Sequence, residues 1–430
     1  MAISGRAVLL LLLGVPVAMA VPSGWTLAGW VLLWTGAVCA DLLRAGSVRT
    51  LQLDRAEPGS IRLGLEVPVT LTVTNAGTRT VRGVLRDAWQ PSAGVASDRH
   101  LLALPPGERR RLTTTARPTR RGDRFADRVT VRSMGPLGLA GRQRSLPLAG
   151  RLRVLPPFTS RKHLPGKLAR LRELDGRSAV RIRGQGTEFD SLRDYVGGDD
   201  VRSIDWRASA RRQQVVVRTW RPERDRRVLL VLDTSRTSAS RVGDEPRLDA
   251  AMDAALLLAA LASRAGDRVD LVAVDRRVRA RVLGQSGPAL LPALVDAMAP
   301  LEPALVEADW PGIVAEIRAR IPQRALIVLL TPLEAAAVEE GLLPVAPQLS
   351  AKHTVVVASV ADPTIATMAA RRGDPVAVYD AASAVRGELD REAATAGLER
   401  AGVHVVDAAP QDLPPRLADT YLALKAAGRL

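Results

Sequence analysis

Cysteine is almost absent: Cys39 is the only one in 430 residues and it lies inside an apolar run, which excludes an intrachain disulfide and a cysteine metal cluster. Histidine is nearly as scarce. The four present, His100, His163, His353 and His404, are dispersed, with no H-E-x-x-H and no other ligand spacing. Only three phenylalanines and three tyrosines occur, and no basic stripe is interleaved with stacking aromatics, so single-strand nucleic-acid recognition is poorly served. There is no P-loop, no G-x-S-x-G elbow and no Cys/His pair, and no carboxylate has a visible histidine partner. Catalysis therefore finds little support, and an enzyme is not expected. A metal-assisted hydrolase is the weakest of the readings.

What is present is arginine. Lysine supplies only Lys162, Lys167, Lys352 and Lys425 of 61 basic residues, and the net charge is +16 with a pI near 11.2. Such a balance points to nucleic acid or an anionic membrane surface. The crowding of arginine with alanine is also what a GC-rich genome produces, which discounts that signal. At this length two or three domains are expected, each able to bury a core.

The first forty residues hold two apolar runs, 7–21 and 24–40, separated by Pro22 and Ser23. Each is slightly short of the ~20 residues that cross a bilayer upright, and their flanks make up the difference. Arg6 precedes the first run and Arg44, Arg49 and Arg55 follow the second, so the positive-inside rule places both ends in the cytoplasm. A transmembrane hairpin over 1–45 is the expectation. The alternative is a signal peptide cut after Ala18-Met19-Ala20, which leaves the second run as a single span and everything after it cytoplasmic again.

From Leu51 to Leu155 the hydrophobic period is two: Val69, Leu71 and Val73 alternate with Thr70, Thr72 and Thr74. Breakers at Asn75-Ala-Gly77, Pro105-Pro-Gly107 and Gly135-Pro136 separate the strands. A small β-sandwich, Ig-like, is expected over 46–156, as a partner-binding domain or a spacer.

Residues 157–226 form a signature segment dense in charge. Glu188, Asp190, Arg193, Asp194, Asp199, Asp200, Arg202, Asp205, Arg207 and Arg211 are expected to pair around Tyr195 and Trp206, as a rigid joint or as a partner site. Gly184-x-Gly186 is not a dinucleotide fingerprint, because Phe189 stands at the third glycine position. The segment resembles the signature of the bacterial domain of unknown function 58 family, G-x-G-x-E-F, L-R-x-Y, G-D-D-x-R-x-I-D-W and A-R. It is carried here by Gly184, Gly186, Glu188, Phe189, Leu192, Arg193, Tyr195, Gly198, Asp199, Asp200, Arg202, Ile204, Asp205, Trp206, Ala210 and Arg211. The N-terminal spans and the β-rich region ending in Pro136-Leu-Gly-Leu139 fit the same layout.

Over 227–430 strands and helices alternate: 228–232, 269–274, 325–330, 354–360 and 403–406 read as strands, 248–263, 384–401 and 413–426 as helices. This predicts a doubly wound parallel sheet covered on both faces, with a ligand site beyond the strands' C-terminal ends. The first strand ends there in Asp233-Thr-Ser235-Arg-Thr237. That loop resembles the metal-ion-dependent adhesion site of von Willebrand factor A domains. The resemblance implies that fold, with Asp233, Ser235 and Thr237 as ligands of a divalent cation such as Mg²⁺. Two parts of the pattern are missing: Pro332 stands where those domains carry aspartate, and no threonine occurs between Val282 and Leu301. Glu334 is the one nearby carboxylate that could compensate. The competing reading is that Asp233 caps a turn, helped by Ser235. Asp267 and Asp270 read as turn chemistry before the second strand.

The function expected is a membrane-anchored, cytoplasm-facing protein-interaction or assembly module. Its family resemblance implies a MoxR-type AAA+ ATPase as candidate partner. The alternative is an arginine-rich, membrane-tethered binder of nucleic acid or anionic lipid, which predicts steep salt dependence.

Overall fold

The computed structural model describes residues 2–181, 188–197, 199–221 and 226–430. It divides into two compact units, 1–155 and 156–430.

The first unit begins with the apolar segment. Gly24–Arg44 is one continuous helix of 21 residues, capped by Ser23, whose hydroxyl accepts from the Trp25 N–H. Among the described residues it lies in the one segment long and apolar enough to cross a membrane. The first run does not match it. It forms Gly5–Leu12 and Gly14–Ala20, two short helices broken at Leu13. Pro16 explains the break, since it has no N–H to give to the Leu12 carbonyl one turn back. Both pack on Gly24–Arg44, where Trp34 Nε1 donates to the Ala7 carbonyl at 2.7 Å.

Both ends of this hairpin return to the β-rich region. Ala2–Ile3 pairs with Gly141 and Ala140. At the other end the fully buried Asp41 carboxylate accepts the N–H groups of Leu137 (2.7 Å), Leu139 (2.7 Å) and Ala140 (2.9 Å). Gly135 leaves room for this contact: a Cβ there would come within 2.2 Å of Asp41.

The β-rich region is two packed sheets. Leu51–Arg55, Val67–Asn75 and Arg109–Ala116 form the smaller. Val81–Trp89, Arg99–Leu104, Gly122–Met134 and Ala140–Leu155 form most of the larger. The period-two pattern does what it predicts, with Val69, Leu71 and Val73 buried between the layers while the intervening threonines face outward. One buried ion pair ties the sheets together: Arg55 holds Asp87 through two bonds of 2.8 and 2.6 Å and lies 4.9 Å above the Trp89 ring.

In the second unit the sheet strands are β1 (Arg227–Asp233), β2 (Arg268–Val274), β3 (Val278–Val282), β4 (Leu326–Leu330), β5 (Thr354–Val360) and β6 (Val403–Ala408), in the spatial order β3-β2-β1-β4-β5-β6. Five run parallel, but β3 is antiparallel to β2 and forms the edge, so the sheet is mixed rather than all-parallel. The turn between β2 and β3 is too short for a crossover helix, which forces the antiparallel return. The long helix Arg247–Arg264 is buried along almost its whole length, and its Asp253 carboxylate receives Thr159 and Ser160. Through those contacts the segment after Pro156 joins this unit. It is not an extended linker but a turn followed by the helix Leu164–Arg181, whose Lys167 and Arg170 both bind Asp419.

Candidate functional site

Two places gather the residues singled out in the sequence. The first is the C-terminal end of β1. Asp233 is buried, and each of its oxygens is occupied by a protein donor. Oδ1 accepts the Ser235 N–H at 2.8 Å; Oδ2 accepts Thr331 Oγ1 at 2.7 Å and Thr237 Oγ1 at 3.3 Å. Ser235 and Thr237 hydroxyls lie 3.1 Å apart. Burial pushes the Asp233 carboxyl above its ordinary range, against the lowering effect of these hydrogen bonds. The cluster borders a cleft of about 230 Å³ whose other walls include Glu307, Trp310 and Pro332. The segment preceding Asp309 is laid over it by backbone bonds, Arg236 N–H to Val306 and Ala304 N–H to Thr234.

The structure therefore brings Asp233, Ser235 and Thr237 together and adds Thr331 at the end of β4, which the sequence reading left without a role. Its signal was position, a hydroxyl at the end of the strand next to β1. Glu334 does not join them. Its carboxylate faces Arg236 (3.9 Å) and Arg247 (3.7 Å), while Arg236 also pairs with Glu307. As a cation site the set offers one carboxylate and three hydroxyls, two of them already bonded to that carboxylate, and a hard cation such as Mg²⁺ would have to displace those bonds and complete its shell with water. Among the described residues no three His, Cys, Asp or Glu converge anywhere. The Ser235 N–H bond is the turn-capping geometry.

Nearby carboxylates hold structure. Asp270 binds Arg227 at 2.6 Å and the Gly284 N–H at 2.9 Å; Asp267 accepts the Tyr421 hydroxyl at 2.5 Å and Lys425 at 3.2 Å. Both are buried anchors between distant segments rather than the local turn chemistry expected of them.

The second place is the signature. Glu188–Asp194 and Val216–Arg221 form an antiparallel hairpin, and the turn Val201–Ser203 and the helix Trp206–Arg212 lie within its connection. Gly184, Gly186 and Gly198 lie outside the described residues, and Glu188 is placed by its backbone alone, opposite Arg221. Three of the acids make local bonds. Asp199 takes Arg193 at 2.6 Å and the Val196 N–H at 3.0 Å. Asp200 caps the Val201–Ser203 turn through the Arg202 N–H. Asp205 caps the following helix through the Arg207 and Ala208 N–H groups, both at 3.0 Å, and pairs with Arg218 at 2.8 Å. The Ala208 N–H bond, then Arg218, and last the Arg207 N–H hold the Asp205 carboxyl below its usual range.

The expected network around Tyr195 and Trp206 is thus a set of local caps, and the two aromatics are not at its centre. Trp206 is 68 % exposed, and Tyr195, Val196, Val201 and Val215 are exposed too. The reason is local: capping by Asp205 makes Trp206 the first helical residue, and the buried face of that single turn-pair belongs to Ser209. Arg202, Arg207, Arg211 and Arg212 are exposed beside them.

The sequence profile described as "Protein of unknown function DUF58" matches residues 191–412, just over half of the chain. The chain belongs to the DUF58 family. The match begins within the signature hairpin and runs through β6, so the two places just described both fall in the DUF58 region.

Among solved structures, the CARDB domain of PF1109 from Pyrococcus furiosus is 17% identical over 24% of this chain and 94% of that one, with a TM-score of 0.19. A β-glucosidase from Listeria innocua is 16% identical over 24% of this chain and 16% of that one, with a TM-score of 0.16. The ASH/PapD-like domain of human CEP192 is 11% identical over 24% of this chain and 84% of that one, with a TM-score of 0.16. At these TM-scores the likenesses bear on neither fold nor function. No curated protein matches.

Proposed function

We propose that this chain is a membrane-anchored module that captures a protein partner on the cytoplasmic side, and that it binds rather than catalyses. The observation that carries this reading is the division of charge in the signature. Asp199, Asp200 and Asp205 are consumed in fixing the local fold, whereas Trp206 and four arginines face solvent. Tryptophan and arginine are the side chains that dominate interface energetics when a partner desolvates them.

The anchor is the Gly24–Arg44 helix. The pairing of Ala2–Ile3 with the β-rich region supports an uncut hairpin, and the arginines at both ends support a cytoplasmic orientation. We read the second unit as a von Willebrand factor A-like domain. Its support is the strand order, the antiparallel edge and the Asp233 loop at the switch point between β1 and β4. In this reading the Asp233 cluster keeps the loop in shape under the partner instead of holding Mg²⁺.

Family resemblance makes a MoxR-type AAA+ ATPase the partner to test. Photo-crosslinking from position 206 in native membranes should yield one adduct containing the ATPase. Adducts with lipid alone would favour the alternative, an anionic-lipid binder, which the same four arginines also suit.

A further inference from the structure

The helix Pro375–Arg400 carries a second apolar face that the fold does not use. Its buried side is set by Ala381, Ala384, Ala394, Gly397 and Leu398. On the far side Val378, Ala382, Val385 and Leu389 recur at spacings of four, three and four, which at roughly 100° per residue keeps them within about 60° of one another. All are exposed, with Val378 at 49%, Val385 at 41% and Leu389 at 55%. Tyr379, at 78%, and Arg386 lie together on one flank of this stripe.

We propose that this face is the contact between two copies of the chain, paired antiparallel about a two-fold axis between Ser383 and Ala384. The stripe is self-complementary in that arrangement alone. Val378 meets the other copy's Leu389 and Ala382 meets its Val385, so small faces large at each step. Tyr379 and Arg386 then lie against the other copy's Arg386 and Tyr379, where the guanidinium can stack on the ring. A parallel pair sets Ala382 on Ala382, which leaves a gap, and leaves Arg386 without a ring to cover.

Taking roughly 150–200 Å² for each side chain in full, the exposed parts of these residues amount to about 450 Å² per copy. A pair hides at most about 900 Å², below the roughly 1,000 Å² that a stable specific interface clears and in the range of weak, transient contacts. The contact is weak in solution, and confinement of both copies to one membrane supplies the effective concentration it needs.

The test uses the full chain in native membranes, with Cys39→Ser as background and a bis-maleimide of about 8 Å span. Ala382→Cys should crosslink to itself, since the two positions are offset along the axis by only about 4.5 Å. Val378→Cys alone and Leu389→Cys alone should not, being about 16 Å from their own copies, whereas the two co-expressed should crosslink. Val385→Asp should cut the dimer from Ala382→Cys at least tenfold. Absence of both the Ala382→Cys and the mixed dimer would overturn the proposal. So would a dimer from Val378→Cys alone, equal yield from the off-stripe control Ser383→Cys, or adducts from Ala382→Cys with a different protein only.

Discussion

Substituting Asp233 separates a structural carboxyl from a cation ligand. In Asp233→Asn the amide oxygen can still accept the Ser235 N–H, and the amide nitrogen can donate to Thr331 and Thr237, whose hydroxyls reverse direction at little cost. The change should stay within about 1 kcal/mol of wild type at neutral pH. Asp233→Ala orphans the buried Ser235 N–H and strips two hydroxyls of their acceptor, for a loss of about 2–4 kcal/mol, with the melting temperature falling by roughly 2–4 °C for each.

The pH dependence gives a second readout. Because burial raises the Asp233 carboxyl in the fold, the folded chain holds a proton that the unfolded chain has released. Its contribution is therefore most favourable below the ordinary value of 3.8 and declines as pH rises toward the folded value. Asp233→Asn removes that decline. Thermal unfolding of the full chain in lipid nanodiscs from pH 4 to pH 8, with and without millimolar Mg²⁺, reads all of this. Asparagine as damaging as alanine at every pH, or Mg²⁺ stabilisation of wild type that asparagine abolishes, would refute the reasoning.

Three other outcomes follow from buried groups. Asp41→Ala leaves the buried N–H groups of Leu139 and Ala140 without an acceptor, at about 1–3 kcal/mol for each, and frees the half-buried N–H of Leu137; trypsin should then cut at Arg142 and Arg144 faster than in wild type, and unchanged cleavage would remove Asp41 as the anchor's latch. Asp87→Ala strands the buried Arg55 charge and should cost about 3–5 kcal/mol in denaturant unfolding, while a loss below 1 kcal/mol would mean Arg55 finds another partner. His353 is 4% exposed with neither ring nitrogen bonded, and burial, then Lys352, lowers its pKa. A lowered histidine favours the fold while neutral, so stability should fall as pH drops below about 6.5; His353→Leu should flatten that slope between pH 7 and pH 5, and an unchanged slope would assign it elsewhere.

What could be read in the sequence was what hydrophobic period encodes. The alternating valines and threonines of 69–74 and the apolar runs of β1, β2, β4, β5 and β6 are each dominated by burial, which leaves a periodic trace. β3 escaped because its alternate residues are arginines, Arg279 and Arg281, held by Asp275 and Glu316, so an edge strand looked like a charged loop. Leu164–Arg181 escaped for a similar reason: part of its docking rests on ion pairs with Asp419, some 250 positions away, which no local pattern announces. The start of the helix at Pro375 is visible in Asp374-Pro375, an N-cap followed by proline, yet the apolar period alone begins nine residues later, because the exposed half carries no simple polar face. At the site, the Asp233 loop was legible as a motif, but whether its oxygens are free or spent depends on Thr331, brought in across the sheet by parallel pairing of β1 and β4. The signature showed which residues matter and hid which way they point.

The central claim is partner capture through the signature. Full-length chain in nanodiscs should bind the purified MoxR-type ATPase in a titration by interferometry, with Trp206→Ala weakening Kd by about thirtyfold, the equivalent of ~2 kcal/mol for a hot-spot tryptophan, and Asp233→Asn leaving it unchanged. No binding, or binding indifferent to Trp206, would contradict the account.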